Sequence, residues 1–136
     1  MAETKDNTLR TQEQKRMAHA WASVSKITGQ QNSKLAKDYR SLVRQAAADV
    51  MTSGLGQTVA FWRSKIDERK HNGEEQKAVY ESVDSWLRAQ LNLTKSLHEW
   101  IVAEGTTTVT YMRATRETIA YLVWLKRFAE GEIKVD

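Results

Sequence analysis

The stretch YMRATRETIAYLVWLKRFAEG, residues 111–131, decides how the rest of the chain is read. At about 100° per residue, Thr115, Thr118, Ile119, Leu122, Leu125 and Ala129 fall on one side of a helix, and Tyr111, Tyr121 and Phe128 widen that side. An apolar arc this broad predicts the central helix of a small bundle. The opposite stripe is narrow and holds Arg113, Arg116, Ala120, Trp124 and Arg127. A tryptophan among arginines is the composition of a protein interface. Trp124 also fits a second reading, in which the N-terminal tail or the fifth helix covers it as ordinary core. Gly131 is expected to stop the helix from the C-cap position.

Composition bounds the remainder. A chain of 136 residues supplies one domain with one core. Six glycines and no proline favour long helices with short connections, and the absence of cysteine excludes a disulfide framework, a thiolate nucleophile and a thiolate metal ligand. No apolar run approaches the roughly 18–20 residues of a membrane span, and MAETKDNTLR lacks the apolar core of a signal peptide. A cytoplasmic protein without a membrane partner is the expectation. Residues 1–71 carry thirteen Lys and Arg against seven Asp and Glu, a net of +6, whereas residues 72–136 carry eight against ten, a net of −2. The basic half is the candidate face for a polyanion, the acidic half for a protein, although ordinary solvated surface accounts for the same numbers.

Read in order, residues 1–10 form a polar, flexible N-terminus and residues 11–136 a single all-helical domain. Thr11 and Gln14 make a capping box, after which Met17, Trp21, Val24 and Ile27 place an inward face on a first helix ending near residue 28. Asn32 or Ser33 caps a second, with Leu35, Tyr39, Leu42, Val43, Ala46 and Val50 inward and Lys37, Arg40 and Arg44 along an outward strip beside Lys34. TSGLG at 52–56 starts a third helix running to about residue 69, with Val59, Trp62 and Ile66 inward and Phe61 broadening the seam. Gly54 and Gly56 in its first turn require a tight turn or close packing. Asn72 and Glu75 suggest a capping box for a fourth helix over 74–91, with Val79, Tyr80, Val83, Trp86, Leu87 and Gln90. A shorter helix lies within 92–105, and TTTVT at 106–110 precedes or caps the last one. The expected fold is therefore all-α, a compact single-domain bundle of about six helices.

Enzymatic constellations are sparse. His19, His71 and His98 lack the close spacing of a metal-ligand pair, His98 and Glu99 diverge by about 100° on a helix, and GLG at 54–56 lacks the length and Lys-Ser/Thr ending of a phosphate loop. No catalytic residue, metal or cofactor is expected. Polyanion binding has better material, because phosphates need spaced cations, and Lys15, Arg16, Lys37, Arg40, Arg44, Arg63 and Lys65 supply them if helices two and three are neighbours. Tyr39, Phe61 and Trp62 could stack on bases, but read first as core.

Two segments carry a family likeness. Tyr111, Ala114, Thr115, Glu117, Tyr121, Leu122, Trp124, Leu125, Lys126, Arg127, Phe128, Ala129 and Gly131 resemble the C-terminal signature of the small subunit of the type III-B CRISPR effector, the Cmr complex. Gly54, Leu55, Gln57, Thr58, Ala60, Phe61, Ser64 and Lys65 resemble that family's other recognisable stretch. The resemblance implies a helical subunit without catalytic activity, acting in antiviral defence. It implies as partners the backbone and large subunits, further copies of itself in a filament, and guide and target RNA. RNA would be met through strand shape and phosphates, with base identity left to guide pairing. Of the candidate cations, Lys65 alone is supported by the family pattern. A free-standing helical adaptor without nucleic acid, motivated by Trp124 and its arginines, is the alternative.

Overall fold

The computed structural model describes residues 10–134, and the expected flexible segment lies, but for its last residue, outside them. Among the described residues six helices follow in order: α1 Gln12–Gly29, α2 Ser33–Ser53, α3 Leu55–Lys65, α4 Glu74–Leu91, α5 Leu97–Val102 and α6 Thr108–Glu132. Side-chain oxygens set three of the starts. Thr11 and Gln14 form the capping box of α1, Asn32 accepts from the Leu35 N–H to open α2, and Thr107 and Thr110 form a capping box that turns TTTVT into the first turn of α6. No helix among the described residues is long and apolar enough to cross a membrane.

The long helices α1, α2, α4 and α6 form the bundle, with α6 packed most closely against α1 and α2. Arg16 meets Glu117 and Trp21 meets Phe128, so α1 runs parallel to α6. Tyr111, at the start of α6, reaches Gly56 just beyond α2, while Arg44 in mid-α2 meets Glu130 near the end of α6, so α2 runs antiparallel to it. α3 returns along the outside of α2 and α4, and α5 closes the end where α3 begins. The core is continuous across all six helices, and Tyr39, Trp62, Leu87, Leu97, Tyr121, Leu122 and Leu125 are fully buried. Each such large side chain contributes about 1.5–3 kcal/mol through removal from water.

Gly54 joins α2 to α3 without a loop. Its N–H donates to the Val50 carbonyl at 2.9 Å, ending α2, and its carbonyl accepts from the Thr58 N–H at 3.2 Å and the Thr58 hydroxyl at 2.8 Å, starting α3. The reversal between the two requires φ +88° and ψ 159°, a conformation open essentially to glycine alone. The Gly56 N–H then donates to the Tyr111 hydroxyl at 2.9 Å, tying this junction to α6.

Several expectations are corrected. α3 stops at Lys65, four residues early, because Ile66 turns extended and Asp67 bridges to Asn72. The cap of α4 is Gly73, at φ +73°, and not Asn72; a Cβ there would lie 2.1 Å from the Lys65 carbonyl oxygen. Gly131 lies inside α6, which ends at Glu132 with Ile133 as the cap. Phe61 is 52% exposed and Trp21 46% exposed, against the expectation that both face inward. In α6 the buried arc is centred on Ala114, Thr118, Tyr121, Leu122, Leu125 and Ala129, leaving Thr115 and Ile119 at its edge.

Replacing Gly54 with alanine is expected to lower the unfolding free energy by about 1–3 kcal/mol, the strain of a side chain in that backbone region. A urea midpoint equal to that of the unsubstituted protein would contradict this account of the α2–α3 junction.

Candidate nucleic-acid and protein interfaces

The structure sorts the seven candidate RNA-binding cations by face. Lys37 is exposed, Arg40 is half-buried and Arg44 is exposed, all on the side of α2 that borders α6. Arg44 holds Glu130 at 3.2 Å in a solvent-facing pair, of the kind that contributes at most about 1 kcal/mol. The Arg40 Nε is buried and has no hydrogen-bond partner among the described residues. Lys65 is exposed on α3, its ammonium 5.1 Å from the centre of the Phe61 ring. Phe61 in turn borders Asp49 and Ser53, on the opposite edge of α2 from Arg44. The exposed outer face of α2 thus lies between Arg44 on one side and the Phe61–Lys65 pair on the other.

Three candidates lie elsewhere. Arg63, two residues from Lys65 and so on another side of α3, places its guanidinium 5.2 Å from the centre of the Tyr80 ring on α4. The adjoining cleft of about 470 Å³ mixes Arg63, Arg69 and Lys77 with Asp67, Glu68 and Glu81, and its charges balance. Lys15 is exposed on α1. Arg16 faces inward: Nε donates to Glu117 at 2.6 Å and Nη2 at 2.9 Å, and the two side chains are only 14% and 15% exposed. The Trp86 indole N–H donates to the same carboxylate at 2.9 Å. The expected role of Arg16 as an outward phosphate ligand is therefore corrected, since a bidentate, largely buried guanidinium has no free fork to offer.

Burial alone would raise the Glu117 carboxyl, but the hydrogen bonds from Arg16 and Trp86 outweigh it and hold the group below its usual range. Glu117 correspondingly raises Arg16. Beside them, the Tyr121 hydroxyl meets His19 Nδ1 at 2.6 Å and Ser23 Oγ at 2.9 Å, and His19 Nε2 meets Ser85 at 3.1 Å. Burial, helped by Lys26, lowers the His19 imidazole. His98 bonds Tyr80 at 2.6 Å, and His71 sits in the exposed turn before α4. The three histidines are thus apart, and among the described residues no group of three or more His, Cys, Asp or Glu is placed to hold a metal ion.

On α6, Arg113, Arg116 and Arg127 are exposed and Trp124 is half-buried. Trp124 packs on Phe128 with ring centres 5.4 Å apart, and Phe128 meets Trp21 in a T-shaped contact at 5.3 Å. The ring row runs from α6 to α1. α5 does not cover Trp124, because it packs against α3 and α4. Sequence periodicity misses Trp21 as part of this surface; its pairing with Phe128 depends on the parallel docking of α1 on α6.

Residues 12–132 match the family model described as CRISPR-associated protein (Cas_Cmr5). The chain belongs to this family, the small subunits of the type III-B CRISPR effector, the Cmr complex. It is also similar to a crystal structure of a CRISPR-associated Cmr5 family protein from Thermus thermophilus, with 27% sequence identity, 93% of this chain and 100% of that one covered, and a TM-score of 0.65. The family assignment agrees with the two segments quoted from the sequence. Glu117, which lies in the first of those segments, is the acceptor that joins α1, α4 and α6.

Glu117→Ala is expected to destabilise the bundle by about 3 kcal/mol at pH 7, the lower end of the range for leaving a buried partner unpaired. Because the folded carboxyl titrates below its usual 4.5, its contribution is complete above that pH and is lost as pH falls through the lower folded value. The difference between the two proteins, read from urea unfolding, should therefore shrink below about pH 4.5; a constant gap down to pH 3 would contradict the assignment.

Proposed function

We propose that this subunit acts without catalysis, packing along the backbone subunits of the effector and holding guide and target RNA by their phosphates. The observation carrying this reading is the placement of outward cations on a chain whose family is established. Arg44 of α2 is exposed and is held by Glu130 of α6. Lys37 and Arg40 continue along α2, and Lys65 stands beyond its far edge. Cations on two adjacent helices, α2 and α3, can follow a phosphate backbone without reading its bases. Lys37, Arg40, Arg44 and Lys65 are assigned to RNA. Lys15 and Arg63, on other sides of the bundle, are not part of that track.

The aromatic row of Trp21, Phe128 and Trp124 supports protein contact on the neighbouring face, with Arg113, Arg116 and Arg127 at its border. Partly exposed aromatic rings flanked by arginine form the kind of anchor that dominates interface energies. We assign this face to a neighbouring subunit of the complex, a backbone subunit or a further copy, and place the protein in the cytoplasm with its guide RNA. The same row supports the alternative, a helical adaptor that binds proteins and no nucleic acid. Co-purification of partners after exhaustive nuclease treatment, without effector subunits, would favour that alternative.

Two measurements test the proposal. Reversing Lys37, Arg44 and Lys65 to glutamate together should weaken guide–target RNA retention by the assembled complex at low salt. It should also reduce the slope of log affinity against log salt by about 2, at roughly 0.7 per single-strand phosphate contact, and leave the helical melting curve nearly unchanged. Unaltered retention across the salt series would remove this surface. Trp124→Ala should cost the monomer only about 1–2 kcal/mol, less than the about 3–5 kcal/mol of a fully buried tryptophan, yet weaken assembly at least about tenfold. Loss of the monomer fold would return Trp124 to the core.

A further inference from the structure

We infer that Phe61 and the cavity beside it form a pocket for a single unpaired RNA base, one that carries an exocyclic amino group. The inference rests on the reading that this chain contacts RNA, and adds to it a base-sized site that phosphate contacts alone do not require. Phe61 is 52% exposed on a helix whose buried positions are filled by Leu55, Thr58, Val59 and Trp62, so its ring is not needed to close the core. It borders an open cavity of about 280 Å³, whose other walls are Asp49, Ser53, Gln57 and Thr58. That volume falls just below the range of about 300–1,000 Å³ typical of drug-sized ligands and suits one ring system.

The chemistry of the walls selects the occupant. An exposed aromatic face stacks on any base, and Lys65, whose ammonium lies 5.1 Å from the same ring and does not line the cavity, stands where the phosphate of the stacked nucleotide would be met. α3 carries Lys65 on this side and no acidic residue, which favours a polyanion alongside it. Asp49 works in the opposite sense inside the cavity. A carboxylate there repels phosphate but accepts from an amino group, as acidic side chains do from the N4 of cytosine. Gln57 adds a donor and an acceptor for the rest of the base edge. An apolar side chain seated on Phe61 would leave Asp49 unanswered, whereas a base with an amino group meets both walls.

The test is a nuclear magnetic resonance titration of the full chain with oligocytidylate and oligouridylate at low salt, a method that reads weak binding. The Phe61 ring protons and the Gln57 side-chain amide are expected to shift, with oligocytidylate binding about fivefold or more tightly than oligouridylate. Phe61→Ala should lose about fivefold or more in affinity, Phe61→Tyr should retain it, and Asp49→Asn should level the preference between the two bases. Shifts confined to Lys37 and Arg44 would overturn the pocket and leave the phosphate track standing. An absence of shifts anywhere on the chain would overturn both. Phe61→Ala protein that binds oligocytidylate normally but no longer joins neighbouring subunits would show that the ring is a protein contact.

Discussion

The bundle depends on one carboxylate. Glu117 receives both arms of the Arg16 fork and the Trp86 indole, so that a single acceptor in α6 sets the position of α1 and α4 together. A partly buried ion pair gains strength from its lower-dielectric surroundings only when its geometry is satisfied, and here three donors meet two oxygens. The cost of misplacing any of the three helices is correspondingly high. Apolar contacts tolerate small slides along a helix, whereas a bidentate pair does not, and Glu117 therefore specifies the register that the hydrophobic arc leaves loose.

That register has consequences for both surfaces. With α1 docked parallel to α6, Trp21 arrives at Phe128 and extends the row begun by Trp124. The hydroxyl of Tyr121, one turn beyond Glu117, finds His19 and Ser23 on the same helix, so the polar atoms of the α1–α6 seam are paired rather than left buried and bare. On the other side of α6, the antiparallel α2 brings Arg44 to Glu130 and sets its basic strip along the C-terminal end of α6. The junction at Gly54 then turns α3 back along α2 with no intervening loop, which carries Phe61 and Lys65 to the far edge of that strip. The surfaces proposed for RNA and for protein are thus by-products of how the core is keyed.

Sequence reading and structure part company where a side chain has two possible surroundings. Arg16 looks like any exposed cation on an amphipathic helix, and nothing local announces that a carboxylate a hundred residues away will take it inward. Phe61 and Trp21 read as core because aromatic residues at helical spacing usually are; each is displaced to the surface by a better-placed neighbour, Trp62 in one case and Ser23 with Val24 in the other. The early end of α3 is equally hidden, since Ile66 fits the helical period and is turned out of it by the Asp67–Asn72 bridge.

Consecutive residues dictate what is local: the caps at Thr11, Asn32 and Thr107, the six helices, the broad buried arc of α6 and the family to which the chain belongs. These follow from hydrogen bonds and periodicities that span only a few positions, so they can be read letter by letter. Helix packing settles the rest, namely which cations remain outward, which aromatic rings are exposed and which strips adjoin. Those properties depend on pairs such as Arg16 with Glu117 and Arg44 with Glu130, whose partners are far apart in the chain and meet only when the fold has chosen the neighbours.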